Sequence, residues 1–346
     1  MQLYRANAGH KRINPKNTTQ AGRYNWSCLP TVIMSVHSYT LSRRPDIMNN
    51  AVRHQIKARR VQFDFDDTPL HWLRDDPFST HIINGIHLLL PEGELWFCRV
   101  YNQALPLIKD DQLRADVEGF IRQEAVHSRA HSKAQMYLER HGLRVAPFLN
   151  KVEWLFGTAL ADAPFGLTLL KRKPLKKNWL VLRVGIIAAI EHFTGVLGQW
   201  AMDNESWEQN GDATMVDLFK WHLAEEVEHR TVAYDLFEHL CKTQLGFYVS
   251  RQALMALVFP LFIYFIAEGG RSLAGQDPDK ETRKLARKLL PQLLIQLQQV
   301  GQKTQNVPTF SFLFNATLRW VSPRFHPINE GDTQQALDYL ARSPAA

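Results

Sequence analysis

Hydrophobic residues recur with helical spacing along most of the chain, whereas the alternating pattern of strands is rare. Apolar positions separated by steps of three and four lie on one face of an α-helix, and that face packs against its neighbours. The pattern predicts an all-α fold. The four long helices are expected over residues 80–110, 111–141, 178–208 and 212–241, and further helices over 246–268, 278–302 and 332–341.

Local signals predict where these helices begin and end. Asp212 precedes the fourth long helix and can cap its first turn, while Gly142 follows the second at a position that favours a left-handed residue. Pro91, in the stretch PEGE, interrupts the first long helix. It marks either the first turn of a new helix or a kink within a long one.

The connections between the long helices differ in length. Short turns join the first to the second and the third to the fourth, but residues 142–177 separate the two pairs. Two helical hairpins joined by one long crossover are typical of the ferritin-like four-helix bundle. The sequence thus predicts this bundle over residues 80–241, an N-terminal extension that packs on it over 1–79, and a C-terminal helical elaboration of the same domain over 242–346.

Ionisable residues interrupt the apolar face of the second and fourth helices at mid-length. Stepping along that face in fours and threes gives the series Leu113, Val117, Phe120, Glu124, His127, His131, Ala134 and Leu138. The fourth helix gives Met215, Phe219, His222, Glu226, His229, Ala233, Leu236 and Leu240. A solvated face would carry its charges on the opposite side, so these groups are expected to be buried.

The first and third helices each place one carboxylate on the same kind of face, Glu94 and Glu191. An unpaired buried carboxylate costs several kcal/mol or becomes protonated. Two divalent ions would balance four carboxylates, with His127 and His229 completing the ligand set. One Glu from each of two helices and Glu-x-x-His from each of the other two is the pattern of dinuclear carboxylate sites. For a single motif the alternative is a surface helix with this spacing by chance.

The motifs PEGE, QEAVHSRAH and AEEVEHR resemble those of ferritin-like di-iron carboxylate proteins, and most closely a bacterial family described as predicted metal-dependent hydrolases. The resemblance covers about residues 80–241. It implies that Glu124 and Glu226 bridge two metal ions and act as the catalytic centre, with Glu94, Glu191, His127 and His229 as terminal ligands. His131 and His222 exceed the minimal pattern. At least one of them is expected to be a direct ligand, and His131 is the preferred candidate because it extends the Glu-x-x-His triplet. Glu225 falls one position off the apolar face and is expected to contact a ligand or solvent.

Carboxylate and imidazole ligands favour iron or manganese over zinc. The first hypothesis is therefore an enzyme with two Fe ions, or Mn or a mixed Fe/Mn pair, which uses O2 and an external reductant to oxidise, hydroxylate or desaturate a small organic substrate. The alternative is a metal-dependent hydrolase that uses a metal-bridging hydroxide. A second alternative is a non-catalytic metal-binding protein.

Charge and cysteine content indicate which partners and which cellular compartment to expect. The net charge of +7 is spread along the chain, and its densest run, KRKPLKK, lacks the surroundings of a nucleic-acid module, so no nucleic-acid partner is expected. Three separated cysteines suit a reducing cytoplasm. The apolar run 253–267 and the apolar crossover suggest a lipophilic substrate or a peripheral membrane contact, and ordinary helix packing explains them equally well.

Overall fold

The computed structural model describes residues 54–345. Over that range the chain is mostly helical and forms no β-strand, which confirms the all-α prediction. Its α-helices are α1 (Pro77–His87), α2 (Leu90–Ala104), α3 (Asp111–Arg140), α4 (Ala146–Trp154), α5 (Leu175–Met202), α6 (Ser206–Asn210), α7 (Ala213–His229), α8 (Val232–Leu240), α9 (Gln244–Ala274), α10 (Lys280–Arg283), α11 (Leu290–Thr304), α12 (Phe310–Val321) and α13 (Thr333–Leu340).

The first long helix of the prediction is divided in two. The Asp76 side chain caps α1, and the chain turns at Leu88 and Leu89 before α2 begins with Pro91 in its first turn. Of the two expectations for Pro91, the new helix is therefore the one observed. Proline is favoured there because its missing N–H would have no partner in the first turn of a helix.

The fourth long helix also ends earlier than its apolar pattern predicts. Asp212 caps α7 as expected, by accepting a hydrogen bond from the Met215 N–H. α7 ends at His229, and α8 resumes at Val232. The intervening Arg230 is buried, and its guanidinium donates to the carbonyls of three residues that lie about a hundred positions further along the chain, Pro327, Ile328 and Gly331.

The C-terminal region contains more helices than predicted. α9 extends beyond the predicted range 246–268 at both ends, and α10 and α11 replace the single helix predicted over 278–302. α12 lies between the predicted elements. The crossover 142–177 is also partly helical, with α4 followed by a π-helical turn (Leu155–Ala159) and short 3-10 turns.

Helix packing brings the four long segments together around one interior. α2 packs along α3, α5 packs along α7 and α8, and further contacts join α2 to α5 and α3 to α7 and α8. α9 packs on α1 and α5. Its approach to α1 is close because a Cβ on Gly85 would lie 2.6 Å from the backbone nitrogen of Gly270, so only glycine fits there.

The predicted N-terminal extension is described only from residue 54 onwards, and residues 1–53, which include Cys28, lie outside the described range. Ile56 packs directly on Gly119 of α3. The segment 54–66 thus covers the outer side of α3, close to α7, where Phe63 contacts Trp221.

Among the described residues, two helices, α5 and α9, are long and apolar enough to cross a membrane by length and composition alone. The most apolar window of α5 is 78% buried inside the protein, whereas that of α9 is only 44% buried. The burial of α5 is that of a core helix. α9, in contrast, presents much of its apolar surface outwards.

Candidate metal centre

The six ligand candidates of the minimal pattern share one interior space. Each of these side chains is at most 3% exposed. α2 contributes Glu94, α3 contributes Glu124 and His127, α5 contributes Glu191, and α7 contributes Glu226 and His229. The helical period explains the convergence, because residues three positions apart project from the same face of a helix.

The ligand atoms form two adjoining groups. Glu94, His127 and His222 make up the first, and each offers one atom within 4.8 Å of the other two. In this group His222 Nε2 lies 3.6 Å from Glu94 Oε1. The spacing is too long for a strong hydrogen bond but suits two atoms that coordinate one ion.

The second group contains Glu124, Glu191, Glu226 and His229, again with one atom of each within 4.8 Å of the others. His229 Nε2 lies 3.2 Å from Glu191 Oε2 and from Glu226 Oε2. It lies 3.4 Å from Glu124 Oε1. A single imidazole nitrogen therefore faces three carboxylates.

Two carboxylates lie between the groups. Glu226 Oε1 is 2.8 Å from His222 Nε2 and 3.6 Å from His127 Nδ1, while its Oε2 faces His229. Glu124 Oε1 is 3.7 Å from His127 Nδ1 and 3.4 Å from His229 Nε2. Both are thus within reach of either group.

Several polar atoms of this cluster are buried without a hydrogen-bond partner. They are both carboxylate oxygens of Glu94, Glu124 and Glu191, and Nδ1 of His127. Unpaired buried carboxylates are costly, and native proteins pair nearly all such groups. Because these atoms point into one shared space, a cation there would satisfy them together. The residues present therefore fit a metal centre.

Partners outside the cluster hold the two outer imidazoles. His127 Nε2 lies 2.7 Å from Glu225 Oε2, which leaves Nδ1 directed at the cluster. His229 Nδ1 lies 2.9 Å from Gln123 Oε1, which leaves Nε2 directed at the cluster. Such partners fix the ring orientation of metal-binding histidines. Glu225 is fully buried, and the candidate ligand that it contacts is His127.

Arg59 connects Glu225 and Gln123, the residues that orient the two imidazoles. Its guanidinium donates to Glu225 at 2.7 Å and to Glu228 at 2.8 Å, and Glu228 in turn accepts from the Gln123 amide at 2.8 Å. The sequence pattern missed Arg59, because nothing local places the extended segment 54–66 against α7. It missed Gln123 and Glu228 because neither falls on an apolar face.

The surplus histidines occupy different places. His222 lies in the first group, whereas His131 is in neither. Both ring nitrogens of His131 face other imidazoles, Nε2 lying 2.6 Å from His222 Nδ1 and Nδ1 lying 2.8 Å from His87 Nδ1. His131 thus lies between His222 and His87, on the side of His222 that is remote from Glu226.

Burial dominates the electrostatics of the cluster. It raises the pKa of Glu94 and of Glu191 well above the ordinary value, and neighbouring carboxylates add to the effect. Burial and then the charge of Glu226 raise the pKa of Glu124 to about 8. Burial would also raise the pKa of Glu226, but the charge of His229 and hydrogen bonds from His222 and His229 hold it well below the ordinary value.

An apolar cavity of about 190 Å³ reaches the cluster. Glu94, Glu191, His222 and Glu226 contribute to its wall together with Glu124. Apart from these and Thr194, the wall consists mainly of apolar side chains from α1, α2, α5, α7, α9 and the crossover, together with Trp207 of α6 and Pro308. The cavity can therefore accept an apolar molecule next to the candidate ligands.

A third set of metal-binding residue types lies elsewhere. His71, His81 and Asp277 bring ligand atoms together, but Asp277 Oδ2 is 2.6 Å from Nε2 of each imidazole. Both distances are those of strong hydrogen bonds. We interpret these hydrogen bonds as structural. They connect the segment before α1 and α1 itself to the turn after α9.

Comparison with protein families gives one result that bears on this geometry. A family model described as predicted metal-dependent hydrolase matches residues 57–331. The match extends well beyond the range 80–241 over which the motifs carry the resemblance, and it includes Arg59 and α9. No curated protein and no solved structure matches the chain. Since the model covers most of the sequence, the chain belongs to the family of predicted metal-dependent hydrolases.

Proposed function

We propose that the chain is a dinuclear metal enzyme that hydrolyses an apolar substrate. The observation that carries this proposal is the pair of adjoining ligand groups with Glu124 and Glu226 between them. The family description supports the hydrolytic reaction. The apolar cavity supports the substrate class, because away from the cluster its wall is apolar except for Thr194 and the indole rings of Trp200 and Trp207.

The proposed scaffold is a ferritin-like four-helix bundle. Its hairpins are α2 with α3 and α5 with α7 and α8, and the crossover is residues 142–177. The pairwise packing of these helices and the one long connection support this assignment. We propose that residues 242–346 elaborate the same domain, since Leu257 and Phe262 of α9 line the cavity.

The proposed ligands divide between two ions. His127, His222 and Glu94 would hold one ion, and His229 and Glu191 the other, with Glu124 and Glu226 shared. We propose His222 rather than His131 as the additional ligand, because both nitrogens of His131 are engaged by other imidazoles.

Bound ions would activate a water molecule and polarise the bond to be cleaved. The protein itself would orient the ligands, bind the substrate and limit the access of water. Glu225 and Gln123 orient the two outer imidazoles, and the cavity wall binds the apolar part of the substrate. Phe97 and Ile190 line the cavity beside Glu94 and Glu191 and would limit the access of bulk water.

A second candidate function is O2-dependent oxidation of the same class of substrate. It would use two Fe ions, or Mn or a mixed Fe/Mn pair, with an external reductant. The donor set favours it, since only carboxylates and imidazoles converge and no thiolate is among them. The apolar cavity fits both reactions. It supports either enzyme over a protein that only binds metal.

The test begins with the metal content of the purified full-length protein. Hydrolysis of p-nitrophenyl esters of increasing acyl length is then followed without oxygen, and oxygen uptake with a reductant and a long-chain substrate is followed separately. Anaerobic ester hydrolysis that rises with acyl length and disappears in Glu226→Ala supports the hydrolase. Oxygen uptake that requires iron, without ester hydrolysis, supports the second candidate. Protein that binds no divalent metal overturns both.

A further inference from the structure

The outward face of α9 is an uninterrupted apolar stripe. Its members follow at steps of four and three: Leu245, Val249, Ala253, Leu257, Leu261 and Tyr264. Leu245 is 74% exposed and Leu257 53% exposed. With a rise of 1.5 Å per residue, the stripe is roughly 28 Å long. Soluble proteins rarely expose a continuous apolar surface of this length, and such surfaces mark interaction sites.

No charge interrupts the stripe. The single charged residue between Gln244 and Ala267 is Arg251, which is 1% exposed and donates to the Tyr234 hydroxyl at 2.6 Å. A helix that faced water would carry charged side chains on this side. The composition of α9 therefore indicates that its outer face meets an apolar environment.

The crossover presents a second set of exposed apolar side chains. They are Trp154, Phe165, Leu167 and Leu169, each more than half exposed. Directly after them come five exposed cations, Lys171, Arg172, Lys173, Lys176 and Lys177. Within the described part of the chain, none of the five forms an ion pair with a carboxylate.

The crossover and α9 lie on the same side of the molecule. α4 packs against α9, and Lys151 pairs with Glu268 at 2.6 Å. α5 and α9 run in the same direction, because Leu254 lies over Gly185 and Phe262 stacks on Phe193 at 5.1 Å. Their N-terminal ends are therefore together. The five cations, which lie at the start of α5, flank the Leu245 end of the stripe.

The wall of the cavity that reaches the cluster includes residues of this side of the molecule. Leu257 and Leu261 belong to both the exposed stripe and the cavity wall. Leu155 and Leu160 of the crossover line the same cavity and are half-buried. The cavity wall thus reaches the apolar surface at α9 and at the crossover.

We propose that this surface, formed by the α9 stripe, the exposed crossover residues and the five cations, docks on an anionic lipid bilayer. A further part, which rests on the proposed function, is that the substrate is a lipid-soluble molecule entering the cavity from the bilayer. An apolar helix face flanked by lysine and arginine is the pattern of proteins that lie in the bilayer interface. A second copy is disfavoured as the occupant, because the surface so defined contains no carboxylate that could pair with the five cations of the other copy.

The test uses full-length protein and vesicle co-sedimentation. We expect binding to vesicles of phosphatidylcholine mixed with phosphatidylglycerol, weaker binding at high salt, and little binding to phosphatidylcholine alone. Lys173→Glu combined with Lys176→Glu should weaken binding at least about tenfold. Phe165→Ser combined with Leu167→Ser should do the same. The matched controls are Met136→Ser and Arg129→Glu, on the exposed side of α3.

Wild-type protein that does not sediment with anionic vesicles overturns the proposal, and so do crossover variants that bind like the controls. Light scattering gives a further check. A dimer that dissociates in the Phe165→Ser, Leu167→Ser variant would mean that a second copy covers the surface. Metal content is measured on the same samples. Normal vesicle binding without bound metal would reject the proposed enzyme while leaving the docking surface intact, and the reverse result would reject only the docking surface.

Discussion

Glu225 gives the sharpest test of how the candidate metal centre is built. The sequence pattern places it one position off the apolar face, which predicts that Glu225→Ala is far milder than Glu226→Ala. The structure gives a different expectation, because Glu225 is fully buried and its Oε2 lies 2.7 Å from His127 Nε2. We therefore expect Glu225→Ala to weaken metal binding clearly, although less than Glu226→Ala does.

The magnitude follows from the contacts that are lost. His127 would keep a buried N–H without an acceptor, which costs about 1–3 kcal/mol. Arg59 retains its bond to Glu228 at 2.8 Å, so no second charge is left unpaired. Removing the partner behind a metal-binding histidine typically weakens metal affinity about 10–100-fold, or about 1.4–2.7 kcal/mol. Glu225→Gln keeps an acceptor oxygen and should lose less.

The assay is competition for Mn²⁺ between each protein variant and a chelator of known affinity. Glu118→Ala, which removes an exposed glutamate from α3, serves as the matched control. We expect affinity to fall in the order wild type and Glu118→Ala, then Glu225→Gln, then Glu225→Ala, then Glu226→Ala. Wild-type affinity in Glu225→Ala would refute the reasoning, since His127 would then need no support or would bind no metal.

Three other predictions follow from the same geometry. Glu124→Ala should reduce bound metal at both positions, as measured by elemental analysis, because its carboxylate faces both ligand groups. His222→Ala should lower metal content more than His131→Ala does, and equal losses would contradict the proposed ligand set. Metal affinity should rise with pH through about 8, because burial raises the pKa values of Glu94, Glu124 and Glu191, that of Glu124 to about 8, and the ions must displace these protons. Titrations across this pH range with measured proton release check the last point, and an affinity independent of pH would contradict it.

The apolar periodicity predicts the buried cluster because the positions that form it are set by the spacing of residues within single helices. Glu124 and His127 lie three positions apart within one helix, as do Glu226 and His229, so the helical period alone places each pair on one face. The apolar residues on either side of each pair identify that face as the buried one. Nothing beyond α3 and α7 is needed for this step. The same reasoning predicts the all-α fold.

Long-range contacts account for the features that the pattern misses. The chain between α7 and α8 turns at Arg230, whose guanidinium reaches the carbonyls of Pro327 and Gly331. The helical pattern of residues 212–241 cannot reveal these contacts, because the partners lie about a hundred positions further along the chain. Arg59 likewise reaches Glu225 and Glu228 only because the segment 54–66 packs across α3 and α7.

The protonation of the cluster links folding to metal binding. Without a cation, burial raises the pKa values of Glu94, Glu124 and Glu191, so the folded protein favours their neutral forms. Groups whose pKa is raised on folding stabilise the fold at low pH, and that contribution is lost as pH rises through the folded value. The metal-free protein should therefore lose stability as pH rises from about 4.5, the ordinary value, to about 8, the value for Glu124. Bound cations replace those protons and remove the loss, so the difference in melting temperature between metal-loaded and metal-free protein should widen over the same range. A constant difference would mean that the three carboxylates are already ionised without metal.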